Sequence, residues 1–366
     1  MKKVIATGES HAIRDARNIA TLFFPDLSTD TRIEWLRGGI SHVSMDIPSF
    51  GHNEKTYLIK RLKTTTAEDA VLCAAATVHL YACGLPIPLI AKGGITSTSV
   101  EDFMVEYNGQ YYLLEEKIGV EPGKESQCFV STKDGTPEHW RSVGRILARI
   151  HQAGKTFQSH HRRSHYSVEM ACDLVTKYVN DDKRLKWQGL PDDQIALVRQ
   201  YHAKLTLDPE EVAAESSWLV HSDLNFGNII FNPDGSVNVI FDMDNIRSKA
   251  LRIEDIFTSA NQTGRRGEGF FLPPDILHRV LSPLIIGYNT TAQKIGLQPL
   301  GTSELKHLKD LFRLVFLYRL SLQRQPEGVA AHLEHLKKVD VICDSLERAF
   351  DGGTVPEFDD ELVPKN

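Results

Sequence analysis

Apolar and polar residues repeat along this chain with two different periods, and the change of period divides the chain into two parts. Before about residue 118, short alternating runs predict strands over 33–36, 43–47, 55–62, 103–107 and 111–115. A glycine turn would join the first two strands. Helical spacing predicts helices over 10–24 and 66–83, the second capped by Thr66 and ended by Gly84. This part therefore predicts a small antiparallel sheet with one helix, β–β–β–α–β–β, preceded by a helical extension.

From about residue 119 the apolar spacing is mainly helical. It predicts helices over 140–153, 166–180, 191–205, 274–288, 303–324 and 328–350. A chain of 366 residues is long for one core, so two lobes are expected. We predict an α+β fold with a small lobe over 1–118 (extension 1–30), a large lobe over 119–350 and an acidic tail over 351–366.

One hairpin interrupts the helical part. Residues 228–231 and 237–241 are apolar, β-branched runs, and Asn232-Pro-Asp-Gly-Ser between them is a turn sequence. Antiparallel strands would bring Asn228, at the start of the first, and Asp242, at the end of the second, to the same end of the hairpin. An amide oxygen and a carboxylate suit Mg²⁺, which takes few protein ligands. Asp223, anchored by a third short strand over 218–220, could orient an attacking hydroxyl.

The composition of the chain indicates which binding partners and which cellular compartment to expect. The net charge of −6 argues against a nucleic-acid surface, and no apolar run reaches membrane-spanning length. The five cysteines form no CxxC pair, which is typical of buried thiols in a reducing cytoplasm. The polar residues after the first six positions argue against a signal peptide. We therefore predict a cytoplasmic protein without a nucleic-acid or membrane partner, of undetermined oligomeric state.

The sequence His221-x-Asp223-x-x-x-x-Asn228, followed by Asp242, resembles the catalytic and metal loops of the protein-kinase-like superfamily. The version found here is similar to the aminoglycoside phosphotransferase family, which includes choline and homoserine kinases. Ser222 and Met243-Asp244 stand where protein kinases carry Arg and Gly, and they favour a kinase of small molecules. The resemblance implies a protein-kinase-like bilobal fold that uses ATP and Mg²⁺.

The resemblance also implies roles for residues of the small lobe. Lys60, in the middle of the third strand, would contact the nucleotide phosphates, with Arg61 as a competitor for that role. A carboxylate at the start of the following helix, Glu68 or Asp69, would pair with the lysine. The remaining candidates are Gly39 and Ser41 in a phosphate-covering turn and Glu115 and Lys117 in a hinge that meets the adenine.

Three residues of the large lobe would support the site. His221 would pack beneath Asp223 and hold its backbone, and Asp255 would brace the catalytic loop from a helix. Asp244 would either assist a second metal position or fill the turn.

The resulting hypothesis is an ATP-dependent transfer of the γ-phosphate to a hydroxyl of a small metabolite. Asp223 would act as the base, and Asn228 and Asp242 would hold Mg²⁺. The acceptor would be a sugar, an amino alcohol, an amino acid or an aminoglycoside-like compound, with a slight preference for the sugar and homoserine kinase branches. The alternatives are a kinase that acts on proteins and a nucleotide-binding pseudokinase that serves as an interaction module.

Overall fold

The computed structural model describes most of the chain. Its described residues are 11–37, 46–64, 66–92, 100–117, 130, 134–159, 168–207, 212, 216–261, 274–322 and 329–351. Within them, none of the helices combines the length and the apolar character needed to cross a membrane.

The amino-terminal part forms a five-stranded antiparallel sheet with strand order β1-β2-β3-β5-β4. The strands are β1 Ile33–Arg37, β2 Asp46–His52, β3 Lys55–Arg61, β4 Val105–Tyr107 and β5 Gln110–Glu116. The second strand was predicted over 43–47, so its position was only partly right, and 43–45 lie outside the described residues. The ladder between β2 and β3 starts at Ser49, directly after Pro48, because proline has no N–H to donate.

A helix before the sheet, α1 (His11–Phe23), covers one of its faces. Its buried residues Ile19 and Phe23 share a core with Tyr57, Ile59 and Leu114. Polar contacts fix the helix as well, since Tyr107 Oη donates to Asp15 at 2.9 Å and accepts from Asn18 at 3.0 Å. The predicted helix over 10–24 is confirmed. The helix covers the face of the sheet that carries Tyr57 and Ile59. Because Lys60 alternates with these two residues along β3, it lies on the opposite face.

The helix after β3, α2 (Ala67–Ala82), begins as its sequence predicts. The Thr66 hydroxyl accepts from Asp69 N at 3.2 Å, which satisfies one of the amides at the start of the helix. The sheet order and this helix confirm the predicted β–β–β–α–β–β arrangement and the α+β fold.

The rest of the described chain is mainly helical, as predicted. Its helices are α3 Pro137–Gly154, α4 Val168–Val179, α5 Asp182–Trp187, α6 Asp192–Ala203, α7 Ile253–Asn261, α8 Pro274–Lys294, α9 Thr302–Leu322 and α10 Val329–Asp351. The short α5 was not predicted. The proposed lobe boundary near 117–122 and the tail fall mostly outside the described residues and stay predictions.

Two short antiparallel pairs lie within this helical part. The predicted hairpin consists of β7 Ile229–Phe231 and β8 Val237–Ile240, and β6 Trp218–Val220 precedes it. The partner of β6 is β9 Arg247–Ala250, a strand that the sequence did not predict because its residues Arg-Ser-Lys-Ala carry no apolar alternation. The loops between these strands carry the candidate catalytic residues.

Helices α3 and α8 approach each other closely at two glycines. A Cβ added to Gly144 would lie 2.0 Å from Leu284 O, and a Cβ added to Gly287 would lie 2.1 Å from Arg141 O. The backbones of the two helices therefore touch at both positions, where no other residue fits. This contact places His151 of α3 beside Tyr288 of α8, which matters for the site below.

We predict that Gly144→Ala lowers the free energy of unfolding by about 3 kcal/mol, because the added methyl group must push two backbones apart. Urea denaturation followed by circular dichroism measures this change. Gly301→Ala is the control, since a Cβ there meets nothing within 4 Å, and it should change stability by less than about 1 kcal/mol. Equal stability of the two variants would contradict the close helix contact.

Candidate active site

The loop between β6 and β7 and the turn after β8 carry the predicted catalytic and metal residues. Asn228 ends a short 3₁₀ turn just before β7, and Phe241 N donates to Asn228 O at 2.8 Å across the hairpin. Asp242 follows Phe241 directly. The hairpin therefore places Asn228 and Asp242 at one end, as the antiparallel pairing of the two strands predicts.

Asp223 is almost fully buried, and asparagine amides surround it. Asn225 Nδ2 lies 3.3 Å from Asp223 Oδ1, and Asn245 Nδ2 lies 3.0 Å from Asp223 Oδ2. Asn228 Nδ2 donates to Asp223 O at 2.8 Å, so the amide nitrogen of that side chain is directed to the loop backbone. These contacts hold the carboxylate in one orientation while its oxygens can still accept a further hydrogen bond.

His221 supports the loop from below. It is fully buried, its Nδ1 accepts from Asp223 N at 3.3 Å, and its Nε2 lies 3.1 Å from Phe241 O. Because one ring nitrogen accepts from an N–H and the other faces a carbonyl, the ring carries its proton on Nε2. The histidine thus joins the catalytic loop to the strand that leads to Asp242.

Ser222 has a left-handed backbone with φ of +64°, a conformation that glycine and asparagine adopt more easily than other residues. Arg247 of β9 donates from Nε to the Ser222 hydroxyl at 2.8 Å and also pairs with Glu254.

Asp255 of α7 braces this strained backbone. It is fully buried and accepts from Ser222 N at 2.7 Å, from His221 N at 2.9 Å and from His151 Nε2 at 3.1 Å. Burial alone would raise the pKa of Asp255, but the hydrogen bonds that it accepts from His151 and from the Ser222 amide lower it below the ordinary value. The carboxylate is therefore charged at neutral pH.

The brace continues outward through buried side chains. Tyr288 Oη lies 2.8 Å from His151 Nδ1, and Arg252 lies 3.4 Å from the same phenol oxygen. Burial raises the pKa of Tyr288, so its hydroxyl stays protonated and donates to the histidine. Arg252 is in turn fixed by Glu304 of α9. A chain of donors thus runs from Arg252 through Tyr288 and His151 to Asp255.

Lys60 of β3 lies at the centre of a cluster of charges. Its Nζ is 3.1 Å from Asp242 Oδ1, 3.1 Å from Asp244 Oδ1 and 3.3 Å from Glu115 Oε1. Burial would lower the pKa of Lys60, but the carboxylates of Glu115, Asp244 and Asp242 hold it well above its ordinary value. Arg61, the competing candidate, is exposed at the end of the strand. Lys60 is therefore the cation that the structure brings to the hairpin.

Asp242 has a second cationic neighbour. Lys63 Nζ lies 3.1 Å from Asp242 Oδ2, so each oxygen of this carboxylate contacts a different lysine. Burial would raise the pKa of Asp242, but the two ammonium groups lower it well below the ordinary value. The residue also has a left-handed backbone, with φ of +61°.

The structure gives Lys60 a partner that differs from the one predicted. Among the described residues, the carboxylates within 4 Å of its Nζ are those of Glu115, Asp242 and Asp244. Glu68 is exposed in the first turn of α2, and the fully buried Asp69 is not in that set either. Glu115 takes the place expected of the helix carboxylate because Leu58 pairs with it and Lys60 pairs with Leu113, which puts Lys60 and Glu115 diagonally on one face.

Two contacts concern Glu115 and Lys117 of the predicted hinge, which stays a prediction. The Glu115 side chain faces Lys60, burial raises its pKa, and Lys117 N donates to Thr56 O at 2.7 Å. The backbone amide of Lys117 is thus used within the sheet. Gly39 and Ser41, proposed for the phosphate-covering turn, lie outside the described residues.

A cleft of about 400 Å³ opens against the sheet. Glu34, Ser49, Gly51 and Thr56 contribute to its walls. Thr56 alternates with Leu58 and Lys60 along β3, so the cleft lies on the face that carries Lys60. The cleft and the charge cluster therefore lie on the same side of the sheet.

The donor set at the hairpin fits a hard divalent cation. Asn228 offers an amide oxygen and Asp242 a carboxylate, and Mg²⁺ completes such a shell with water and phosphate. In the described part of the chain, no group of three or more His, Cys, Asp or Glu side chains is arranged to hold a metal.

Several residues of the site were not predicted. Asn225 and Asn245 orient Asp223, His151 and Tyr288 support Asp255, and Lys63 contacts Asp242. Asn245 could have been noticed as a polar residue directly after Asp244. Asn225 lies two residues after Asp223 in the same loop and could have been noticed in the same way. His151, Tyr288 and Lys63 come from elements distant in sequence from the residues that they contact, and they carry no local signal.

A family model described as "Phosphotransferase enzyme family" matches residues 50–272, more than half of the chain. The matched segment includes Lys60, Asp223, Asn228 and Asp242. Among curated protein sequences, none matches the chain.

Solved structures share the fold at low sequence identity. Amicoumacin kinase hAmiN in complex with AMP-PNP, Ca²⁺ and Ami has a TM-score of 0.55 and 16% identity, covering 94% of this chain and 95% of that one. A microcompartment-associated aminopropanol kinase has a TM-score of 0.54 and 14% identity, covering 94% and 99%. An aminoglycoside phosphotransferase from Alicyclobacillus acidocaldarius has a TM-score of 0.50 and 14% identity, covering 92% and 94%.

The likeness confirms the predicted protein-kinase-like fold, and the family match confirms the predicted phosphotransferase of the small-molecule kinase type. The chain belongs to the phosphotransferase enzyme family.

Proposed function

We propose that this enzyme transfers the γ-phosphate of ATP to a hydroxyl group of a small metabolite. The observation that carries the proposal is the arrangement around the hairpin. Asp223 is held by two amides, Asn228 and Asp242 lie at one end, and Lys60 comes from the sheet to within 3.1 Å of Asp242. These are the parts that phosphoryl transfer requires: a carboxylate for the acceptor, ligands for a metal and a cation for the phosphates.

The nucleotide lies on the face of the sheet that carries Lys60. That face lies opposite α1, and the cleft lined by Ser49 and Thr56 on the same face offers room for a purine. Lys60 then contacts the phosphates, with its orientation fixed by Glu115 and Asp244. A charge held in place before the substrate arrives stabilises the phosphates without reorganisation.

Asn228 and Asp242 would hold the magnesium ion. When bound, the ion neutralises charge on the β- and γ-phosphates. The structure of amicoumacin kinase hAmiN is a complex with both AMP-PNP and Ca²⁺, which supports a divalent cation and an adenine nucleotide in this fold.

Asp223 accepts a hydrogen bond from the acceptor hydroxyl and receives its proton late in the reaction. A carboxylate is a weak base, but it suffices here because the nucleophile needs little activation in a loose transition state. The amides of Asn225 and Asn245 hold the side chain in position, and the brace of Asp255 holds the backbone on which it is carried.

The acceptor belongs to the sugars, amino alcohols, amino acids or aminoglycoside-like compounds. The structures of similar fold are named for amicoumacin, aminopropanol and aminoglycosides, which supports a small polar acceptor with a hydroxyl group. The family match disfavours a kinase of proteins. A pseudokinase is disfavoured because Lys60, Asp223, Asn228 and Asp242 are all present.

We predict that Asp223→Asn lowers kcat by about 10²- to 10⁴-fold, because the variant loses the proton acceptor but keeps the shape of the side chain. The dissociation constant of Mg-ATP, measured by calorimetry, should stay within about twofold, a change below the energy of one hydrogen bond. Asp234→Asn is the matched control: Asp234 belongs to the turn of the same hairpin, and its variant should retain wild-type turnover. Near-normal turnover of Asp223→Asn would contradict the assignment of the base.

We also predict that ADP release is stimulated by a hydroxyl-bearing acceptor and abolished when EDTA removes divalent cations. A coupled ADP assay over sugars, amino alcohols, amino acids and aminoglycosides measures the first effect, and restored turnover on adding Mg²⁺ measures the second. Labelling of a generic protein substrate in the same assay would favour a protein kinase instead. Mg-dependent ATP binding without turnover on any acceptor would favour the pseudokinase.

A further inference from the structure

Lys63, two residues beyond the end of β3, contacts the carboxylate that the proposed function assigns to the metal. Its Nζ lies 3.1 Å from Asp242 Oδ2, and about half of its side chain is exposed. Lys60 contacts the other oxygen of the same carboxylate, Asp242 Oδ1, also at 3.1 Å. Both oxygens of the candidate metal ligand are therefore engaged by ammonium groups in this structure.

The two lysines are held very differently. Lys60 is mostly buried and keeps two further carboxylates, Glu115 and Asp244, when its contact with Asp242 is lost. For Lys63, by contrast, the part of the chain that the structure describes offers Asp242 as the one carboxylate within 4 Å. Because a partly exposed ion pair is weakly held, Lys63 is the ammonium that leaves Asp242 more easily.

A divalent cation and Lys63 compete for the same oxygen atoms. The cluster of Lys60, Lys63, Glu115, Asp242 and Asp244 has one more carboxylate than ammonium group, so it attracts cations. A metal that binds Asp242 meets repulsion from an ammonium group 3.1 Å from one of its oxygens unless that group moves. The flexible four-carbon stem of lysine allows the movement.

We propose that Lys63 is a second phosphate-binding cation of this enzyme, which occupies Asp242 before the nucleotide arrives and moves to the phosphates when Mg-ATP binds. The inference rests on the proposed function, since it takes Asp242 as a metal ligand. The released ammonium group lies beside the phosphates that the metal would hold, and these carry more negative charge than the single carboxylate it leaves. Lys63 is thus a positioning residue of the phosphates and a competitor of the free metal.

Because of this competition, we predict that Lys63→Gln raises the affinity for free metal and lowers the affinity for Mg-ATP. Mn²⁺ alone should bind the nucleotide-free variant about twofold to fivefold more tightly, because the competing ammonium group is gone. Mg-ATP should bind about tenfold more weakly, because a charge-assisted contact to phosphate is lost. Adenosine, which has no phosphate, should bind the variant and the wild type equally. A loss of local structure would weaken the binding of all three probes.

Calorimetry measures the nucleotide constants, and the paramagnetic resonance of free Mn²⁺ measures the metal constant, at low ionic strength because salt screens these contacts. Lys63→Arg keeps the charge and should restore Mg-ATP binding. Lys55→Gln is the matched control: Lys55 begins the same strand and forms a partly exposed pair with Glu116 at 2.8 Å, so its variant should bind all three probes as the wild type does.

Either of two results would overturn the proposal: unchanged Mg-ATP affinity of Lys63→Gln, or Mn²⁺ affinity that stays equal or falls. The failure of the proposed function itself would look different. In that case the wild-type enzyme would bind neither Mn²⁺ nor Mg-ATP, or would bind them without transferring phosphate to any acceptor.

Discussion

The candidate active site depends on one buried carboxylate. Asp255 accepts hydrogen bonds from the backbone amides of His221 and Ser222 and from the ring of His151. A charged, fully buried carboxylate is stable only when its oxygens are satisfied, so the three donors and the carboxylate fix one another. The start of the catalytic loop is therefore tied to α7 and α3 before any ligand is present. Removal of any one partner would leave buried polar groups without compensation.

This brace accounts for the backbone strain on either side of the hairpin. Ser222 and Asp242 both have left-handed conformations, with φ of +64° and +61°. Such positions cost about 1 kcal/mol or more each and persist where the surroundings over-determine them. Asp255 holds the first, and the contact of His221 Nε2 with Phe241 O ties the second to the same loop. The relative position of Asp223 and Asp242 thus follows from a continuous set of buried hydrogen bonds.

The sequence was sufficient for those parts of the site that lie close together in the chain. Asn228 and Asp242 flank one strand–turn–strand unit, whose turn residues and β-branched runs specify its pairing locally, and Asp223 lies in the loop directly before it. The alternation of β3 likewise placed Lys60 opposite Tyr57 and Ile59. By contrast, His151, Tyr288 and Lys63 join the site through tertiary packing, which no periodic pattern encodes. Strand β9 was not predicted for a related reason. It is a strand because it pairs with β6, and its own residues carry no strand pattern.

The partner of Lys60 shows how a tertiary register changes a functional expectation. A helix carboxylate was expected beside the lysine, but the pairing of β3 with β5 brings Glu115 to it instead. A lysine fixed by a carboxylate of its own sheet needs no movement of α2 to be oriented. Its other partners, Asp242 and Asp244, belong to the hairpin turn, so the ion pairs of Lys60 join the sheet directly to the catalytic hairpin. The orientation of this cation is then set by two rigid β elements. The ammonium group of the cluster that we propose to move is that of Lys63, which is partly exposed.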